Sequence, residues 1–319
     1  MRDTSTPRAV LRPPERWTGR DDGPGPEHAR WHSVIRPWVP DERAVGGAVI
    51  LGFASDEGVR RNGGRIGAAA GPPALRAALA SLATPVLELR DGGDVLVGED
   101  LEGGQVLLGE QVAAVLSAGG LPVVLGGGHE VAFGSNLGWS ATLDCGRAAE
   151  RWGILNVDAH FDLRGAPVPT SGTPFLQAAR AEEAAGREFR YAVVGISWAN
   201  NTRALFDRAA ALGVPFLDDD AASRPAAVAE FVGGWLAGVD RVHLTLDLDA
   251  LPAAVAPGVS APAGFGIPLD AVRTVVRAVA ASGKLGLLEV AELNPRHDID
   301  GRTARTAARL VDEALRSLP

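Results

Sequence analysis

The sequence predicts a three-layer α/β/α domain with a mostly parallel central sheet. Short apolar runs, among them residues 121–125 and 152–157, alternate along the chain with longer helical patterns. These runs are apolar throughout instead of alternating with polar residues, which is typical of strands covered by helices on both faces. Parallel neighbours must be joined by crossovers, and the intervening helical patterns supply them.

The predicted elements follow one another without a repeat or a clear linker. Strands are predicted at residues 47–51, 121–125, 152–157, 190–195, 241–246 and 285–290. Helices are predicted at residues 73–82, 104–118, from about 202, 222–237, 268–282 and 301–318. Pro72 and Pro73 suit the first turn of the first helix. Because this alternation is regular, residues 45–319 are predicted to form one catalytic domain.

The first 44 residues show neither a helical nor a strand period, and they are rich in Pro, Gly, Arg and Trp. We therefore expect residues 1–44 to form an extended N-terminal arm that is partly disordered, chiefly in its first dozen residues. Trp17, Trp31 and Trp38 are expected to pack most of the arm against the domain.

Composition limits the classes of partner. The 319 residues are 46% hydrophobic, which is enough to bury a substantial core. A net charge of -8 without a basic run argues against nucleic acid. The absence of an apolar run of membrane-spanning length or of a signal-peptide core leads us to expect a cytoplasmic protein with no membrane partner. Cys145 is the only cysteine, so no intrachain disulfide is possible, and we interpret it as a bystander.

Three metal-ligand side chains, Asp158, His160 and Asp162, directly follow the predicted strand at 152–157. In open α/β sheets the crevice beyond the carboxyl ends of the strands holds the functional site. Alone, this pattern also fits a solvated loop.

Two further strands end on similar residues. His129 follows the strand at 121–125, and Asp247 and Asp249 follow the strand at 241–246. Four carboxylates so close together would repel one another unless cations neutralise them, and two divalent ions balance their charge. Mixed carboxylate and imidazole ligands suit Mn²⁺ or another borderline metal.

Each segment also has a simpler interpretation. The glycines before His129 are consistent with a tight turn that needs positive φ. Asp249 is consistent with a helix N-cap, and the alternation from Asp247 to Asp249 with a half-solvated strand end. Because metal-ligand side chains follow three separate strands, we favour a metal site over these simpler interpretations.

Together these motifs resemble the ureohydrolases, the arginase and agmatinase relatives. The motifs are Gly-Gly-Gly-His-Glu at 126–130, Asp-Ala-His-Phe-Asp-Leu-Arg at 158–164, Ser-Gly-Thr-Pro-Phe at 171–175, Asp-Leu-Asp at 247–249 and Ala-Pro-Gly-Val-Ser-Ala-Pro at 256–262. The resemblance spans most of the chain and implies an arginase-like α/β fold, two Mn²⁺ per chain, and hydrolysis of guanidino or amidino carbon–nitrogen bonds.

The resemblance also implies roles for individual residues. One ion would be held by His129, Asp158, Asp162 and Asp247, and the other by Asp158, His160, Asp247 and Asp249, so that Asp158 and Asp247 would bridge them. A water molecule activated between the ions would attack the amidine carbon, and Asp162 would accept its proton. Glu292, after the strand at 285–290, would hold the substrate's cationic amidinium. Glu289 competes for that last role, and a strand-end acid is the simpler alternative.

Within this superfamily the resemblance is closest to the formimidoylglutamase branch, whose substrate, N-formimidoyl-L-glutamate, arises in histidine degradation. Arg164 would bind a substrate carboxylate, although a surface ion pair is the alternative. Phe175 stands where arginase has a proton-shuttling histidine, which counts against arginase itself. Further carboxylate donors are expected on two loops, although turn and N-cap chemistry would also explain them; these donors are Arg61, Asn62, Asn200, Asn201 and Thr202.

We therefore expect a dinuclear manganese hydrolase that converts N-formimidoyl-L-glutamate to L-glutamate and formamide, acting as a homo-oligomer. The first alternative is another ureohydrolase acting on agmatine or a guanidino acid. The second is a zinc deacetylase-like enzyme or a metal-binding protein without activity. The chain has no His-His pair, which disfavours a deacetylase, and it retains every expected ligand, which disfavours a non-enzyme.

Overall fold

The computed structural model of the protein describes residues 8–40, 46–85, 87–143 and 150–319. Cys145 lies outside these ranges. The described residues form a ten-stranded sheet. Its strands are β1 (Val10–Arg12), β2 (Arg36–Pro37), β3 (Ala48–Ala54), β4 (Leu89–Leu96), β5 (Leu121–Leu125), β6 (Trp152–Val157), β7 (Tyr191–Ile196), β8 (Phe216–Asp218), β9 (Arg241–Asp247) and β10 (Leu285–Ala291).

The strand order across the sheet is β1-β4-β3-β5-β10-β9-β6-β7-β8, with β2 also paired to β4. Every described pairing is parallel except that of β1 with β4. The four central strands are β5, β10, β9 and β6, which are neighbours in space although they are far apart in sequence. Their carboxyl ends meet at one edge of the sheet, where ligands bind in folds of this kind.

Helices cover both faces of the sheet. They are α1 (Trp31–Val34), α2 (Glu57–Arg61), α3 (Gly71–Ala80), α4 (Leu101–Ser117), α5 (Val131–Thr142), α6 (Pro174–Ala184), α7 (Arg203–Ala211), α8 (Asp219–Ala222), α9 (Pro225–Leu236), α10 (Leu269–Ala281) and α11 (Arg302–Arg316). The buried apolar side chains form two clusters, one involving α3, α9, α10 and α11 and the other α4 to α7. Two cores on opposite faces confirm the predicted three-layer α/β/α architecture with a mostly parallel sheet.

The helix predicted at residues 222–237 begins later, as α9, and Ala222 is instead the last residue of α8. Pro225 is the first residue of α9 and has no backbone N–H, so it begins a new helix instead of continuing the preceding one. None of the described helices is long and apolar enough to span a bilayer.

Strand β4 is absent from the sequence-based prediction because its sequence, Leu-Arg-Asp-Gly-Gly-Asp-Val-Leu, looks like a turn. Its two aspartates are buried and their charge is balanced from α3. The Arg76 guanidinium donates hydrogen bonds to both Asp91 and Asp94. A long-range ion pair therefore makes a strand from residues that local pattern assigns to a loop.

The N-terminal segment lies along the outer edge of β4. Val10–Arg12 pairs antiparallel with it, although these residues fall within the stretch expected to be disordered. Backbone pairing at a sheet edge needs no side-chain period, so the sequence pattern carries no sign of it. The Trp17 indole N–H donates to Asp91 Oδ2 over 2.6 Å, and Trp17 stacks on Trp31.

Candidate metal centre and substrate pocket

The predicted ligands converge at the carboxyl ends of β5, β9 and β6. His129 follows β5, Asp247 is the last residue of β9, and Asp158 directly follows β6. All three side chains are almost fully buried. Parallel strands carry their carboxyl ends to the same edge of the sheet, which is why residues so far apart in sequence meet here.

One group of donors surrounds the His129 imidazole. Its Nδ1 atom lies 3.2 Å from Asp158 Oδ2, 3.1 Å from Asp162 Oδ2 and 3.0 Å from Asp247 Oδ2. The Nδ1 atom is buried, yet none of these contacts has hydrogen-bond geometry. The three oxygens and the nitrogen instead face one another as donors around a cation do.

A second group shares Asp158 with the first. His160 Nδ1 lies 3.4 Å from Asp158 Oδ1 and 3.2 Å from Asp249 Oδ2. Asp158 therefore offers one oxygen to each group, as expected of a bridging ligand. Asp247, the other expected bridge, belongs to the first group only. Its Oδ1 atom accepts a hydrogen bond from the Asp249 N–H over 2.8 Å.

The electrostatics of these residues fit a site for cations. Burial raises the pKa of Asp247 well above its ordinary value, and repulsion from Asp249 and Asp158 adds to the shift. Burial also raises the pKa of Asp162, with Asp158 adding to it. Burial opposes a charged imidazole at His129, but the close approach of the three negatively charged carboxylates raises its pKa overall. Divalent cations would relieve the repulsion, and this donor set suits Mn²⁺.

Polar side chains that the sequence analysis missed hold the ligands in place. The Asn156 amide donates to Asp158 Oδ2 over 2.9 Å. His129 Nε2 lies 3.1 Å from Thr245 Oγ1, whose hydroxyl donates to Glu289 Oε1 over 2.8 Å. Supports of this kind fix the ring orientation of a metal-binding histidine. The sequence signal for these supporting residues is a polar side chain within an otherwise apolar strand, as at Asn156 in β6 and Thr245 in β9.

The three simpler interpretations of these motifs are not supported by the structure. None of the three glycines before His129 has positive φ. They permit close approach instead, since a Cβ on Gly127 would lie 1.8 Å from the Ser55 carbonyl oxygen. Asp249 is not a helix N-cap but lies inside a short 3₁₀ turn capped by Asp247. Both aspartates are 4% exposed, so they do not form a half-solvated strand end.

Two site residues have strained backbone. Asp162 has φ 47° and Glu292 has φ 69°, in the left-handed region that side chains other than glycine rarely adopt. Such strain persists where the surrounding structure enforces it, and it is concentrated at functional sites.

Glu292 follows β10 and lines the same pocket as the metal-ligand residues. Its Oε1 atom accepts a hydrogen bond from the His129 N–H over 3.0 Å, while its Oε2 atom is buried without a partner. Burial raises its pKa to about 8, with repulsion from Glu130 and Asp249 adding to the shift. A cationic group would relieve this cost. The competing residue, Glu289, is fully buried behind the ligands, where Ser135 and Thr245 donate to it.

The outer wall of the pocket carries hydrogen-bond donors. Asn62, Arg164, Ser171, Ser260 and Ala261 line it together with the ligands and Glu292. Arg164 donates to Asn62 Oδ1 over 3.3 Å, and the Asn62 amide donates to Ser171 Oγ over 3.2 Å. Within the described part of the chain, no Asp or Glu side chain pairs with Arg164, so the surface ion pair considered as an alternative is not formed. Ser171 and Ser260 belong to the motifs at 171–175 and 256–262, but the sequence did not predict that they line the pocket wall.

Four other residues expected at the wall are not among those that line the pocket. The Arg61 guanidinium donates to Glu57 and Glu102, so it fixes α2 to α4 instead. The Asn201 side chain accepts from the Phe161 N–H and donates to the Ala159 carbonyl, which anchors the ligand loop from behind. Asn200 and Thr202 are exposed at the start of α7.

Phe175 is buried with its ring edge-on to His129, at 5.2 Å between centroids.

Residues 47–316 match the family model described as Arginase family. The chain is 57% identical to a formimidoylglutamase of Nocardia farcinica over 94% of this chain and 96% of that protein. It is 49% identical to a formimidoylglutamase of Chromobacterium violaceum over 92% of this chain and 95% of that one.

Among solved structures, the chain resembles a formiminoglutamase of Trypanosoma cruzi determined with Mn²⁺. The TM-score is 0.76 at 26% identity, covering 86% of this chain and 94% of the other. An arginase of Bacillus subtilis matches in fold with a TM-score of 0.72 at 24% identity, covering 84% of this chain and 98% of that one. The chain is therefore a hydrolase of the arginase family, similar to the formimidoylglutamases.

Proposed function

We propose that this protein is a dinuclear manganese formimidoylglutamase. It hydrolyses the formimino carbon–nitrogen bond of N-formimidoyl-L-glutamate and yields L-glutamate and formamide, a step of histidine degradation. The observation that carries the proposal is the distribution of charge in one pocket. An acid that is not a metal ligand, Glu292, and a guanidinium without a carboxylate partner, Arg164, both line the pocket that contains the metal-ligand residues.

The substrate has matching charges. Its formimino group is cationic near neutral pH, and its glutamate part carries two carboxylates. Glu292 would bind the amidinium through its unpartnered Oε2 atom. Arg164 would bind a carboxylate, with Asn62 orienting the guanidinium. Holding both ends of the substrate would fix the amidine carbon relative to the ligands.

Two Mn²⁺ would occupy the two donor groups. His129, Asp158, Asp162 and Asp247 would hold one, and Asp158, His160 and Asp249 the other. When bound, a pair of divalent ions lowers the pKa of water and so supplies a nucleophile at neutral pH. Asp162 would accept the proton released from that water, because its carboxylate belongs to the donor group beside which the water would lie.

The alternative substrate, agmatine, has a cationic amine in place of the carboxylates. Arg164 would then repel the substrate, which favours the glutamate derivative. The deciding experiment is a substrate panel with the manganese-loaded enzyme, in which formamide, urea and glutamate are each measured. Release of formamide and glutamate from formimidoylglutamate supports the proposal. Rapid urea release from agmatine, without formamide from formimidoylglutamate, would overturn it.

We also propose a cytoplasmic location and a homo-oligomeric state. The negative net charge and the formimidoylglutamase relatives support an ordinary metabolic enzyme. The state of assembly can be measured by analytical ultracentrifugation of the manganese-loaded protein, and a monomer at micromolar concentration would contradict this part of the proposal.

A further inference from the structure

Glu130 is a fully buried acid for which neither metal binding nor the proposed chemistry has a use. It follows the ligand His129 at the start of α5. Its carboxylate accepts hydrogen bonds from the segment that connects β3 with α2. A fully buried acid is satisfied by specific partners, and those of Glu130 are all on neighbouring backbone and side chains.

Two hydrogen bonds converge on one oxygen of this side chain. Glu130 Oε1 accepts from the Ser55 hydroxyl over 2.7 Å and from the Gly58 N–H over 2.9 Å. The Gly128 N–H also donates to the Ser55 carbonyl over 3.1 Å. Three hydrogen bonds thus connect the loop that carries His129 to the segment that begins α2.

The Glu130 carboxylate is packed closely against two glycines. A Cβ added at Gly58 would lie 2.5 Å from Glu130 Cδ, and one added at Gly128 would lie 2.1 Å from Glu130 Oε2. Both glycines therefore permit the acid to occupy its place. The glycines and the acid form one interlocked unit.

The path continues from this unit to the pocket wall. The Asn62 N–H donates to the Gly58 carbonyl over 3.0 Å, closing the single turn of α2. Asn62 then accepts from Arg164 over 3.3 Å and donates to Ser171 over 3.2 Å. An unbroken chain of hydrogen bonds therefore runs from Glu130 through Gly58 and Asn62 to Arg164.

We infer that Glu130 is a positioning residue that sets the distance between the metal-ligand loop and the wall that binds the substrate carboxylate. The inference rests on the proposed function for the role of Arg164. Glu130 sets this distance through hydrogen-bond acceptance, so an uncharged acceptor of the same size can replace it in this role. Its loss weakens binding of carboxylate-bearing amidines and leaves the metal groups intact, because none of its side-chain bonds goes to a ligand side chain.

The test is steady-state kinetics on manganese-loaded Glu130→Ala and Glu130→Gln beside the parent protein. Glutamine keeps the accepting oxygen, so Glu130→Gln should stay within about threefold of the parent. Glu130→Ala should raise KM for formimidoylglutamate by roughly tenfold, which corresponds to about 1.4 kcal/mol. Its kcat and manganese content should stay near those of the parent. N-methylformamidine, an amidine without carboxylates, should be hydrolysed equally well by all three proteins.

Two outcomes would overturn the inference. One is a Glu130→Gln variant as impaired as Glu130→Ala, which would show that the charge matters. The other is loss of kcat and manganese together in Glu130→Ala, which would place its effect at the metals. Glu182→Gln is the matched control, since Glu182 is a buried acid that accepts from Ser140 on α5 and does not line the pocket. It should leave KM unchanged.

Hydrogen–deuterium exchange tests the same connection without a substrate. Relative to the parent, Glu130→Ala should speed amide exchange at residues 55–62 more than at residues 156–162. An equal change in exchange rate in both segments would refute the connection. If the alanine variant does not fold, Ser55→Ala removes one of the two bonds to Oε1 and should show the same pattern more weakly. A parent enzyme that does not hydrolyse formimidoylglutamate would refute the proposed function, while the exchange result would still decide whether Glu130 fixes α2.

Discussion

Replacing Glu292 with glutamine separates its proposed role in catalysis from its cost to stability. The change removes the negative charge but keeps an oxygen that can accept from the His129 N–H. It should therefore leave the fold and the manganese content unchanged. The Oε2 atom, which is buried without a partner, becomes an amide nitrogen. That nitrogen would face the donor groups of a cationic amidine and repel them.

The kinetic effect should be large. A charge-assisted hydrogen bond to a desolvated group contributes on the order of 3 kcal/mol, which corresponds to about 10²-fold in kcat/KM. The loss should be measured on formimidoylglutamate at saturating Mn²⁺, with the metal content of the same sample determined. Turnover close to that of the parent enzyme would show that Glu292 does not hold the amidine. Loss of manganese together with activity would instead make it a support of the ligands.

The same substitution should stabilise the metal-free protein, with a defined pH dependence. The pKa of Glu292 is about 8 in the folded state against an ordinary 4.5, so the folded protein holds this proton more tightly than the unfolded chain does. The parent protein therefore loses stability as the pH rises from 4.5 through 8. The cost is roughly 2 kcal/mol at pH 6 and up to about 5 kcal/mol above pH 8.

Urea unfolding in the presence of a chelator measures this cost directly. The free energy of unfolding of Glu292→Gln should exceed that of the parent, and the difference should grow between pH 5 and pH 8. A difference that is constant with pH would refute the assignment of the raised pKa to Glu292, even if the kinetic result were as expected.

Three further predictions concern the metals and the wall. Asp158→Ala should remove both manganese ions, since Asp158 offers an oxygen to each group, whereas Asp249→Ala should chiefly weaken one; elemental analysis distinguishes these results. Arg164→Ala should raise KM for formimidoylglutamate by roughly tenfold with little change in kcat, and Arg164→Lys should restore only part of the loss because its ammonium cannot form a bidentate pair. Saturating Mn²⁺ at about 100 times its Kd should raise the free energy of unfolding by about 2.7 kcal/mol per site, and an unchanged thermal midpoint would contradict a folded-state metal site.

The ligands were predictable from the sequence because three buried strands each end on acidic or imidazole side chains. Apolar runs of five to seven residues are a local signal, and β5 and β6 have the predicted bounds. The direction of parallel strands then brings their ends together without further information. The fold class and the convergence of the candidate ligands therefore followed from local pattern, whereas their assignment to two ions came from the family resemblance.

The pocket wall was less predictable because it depends on which donors are already bonded elsewhere. Arg61 and Asn62 are adjacent in sequence, yet Arg61 is committed to two glutamates and Asn62 faces the pocket. Asn201 is likewise committed to the backbone of the ligand loop. Long-range contacts such as that between Arg61 and Glu102 have no local signature, so sequence reasoning could not sort these donors.

The antiparallel strand β1 has a consequence for handling the protein. It pairs with the outer edge of β4, and β2 also pairs with β4. An ion pair from Arg12 to Asp94 holds β1 in place. Removing the first 16 residues would leave unpaired N–H and C=O groups along residues 94–96, the carboxyl-terminal end of β4 that β1 covers. An open edge of this kind recruits other strands. A shortened version of the chain should therefore precipitate or form intermolecular sheets on warming, while its metal ligands remain untouched.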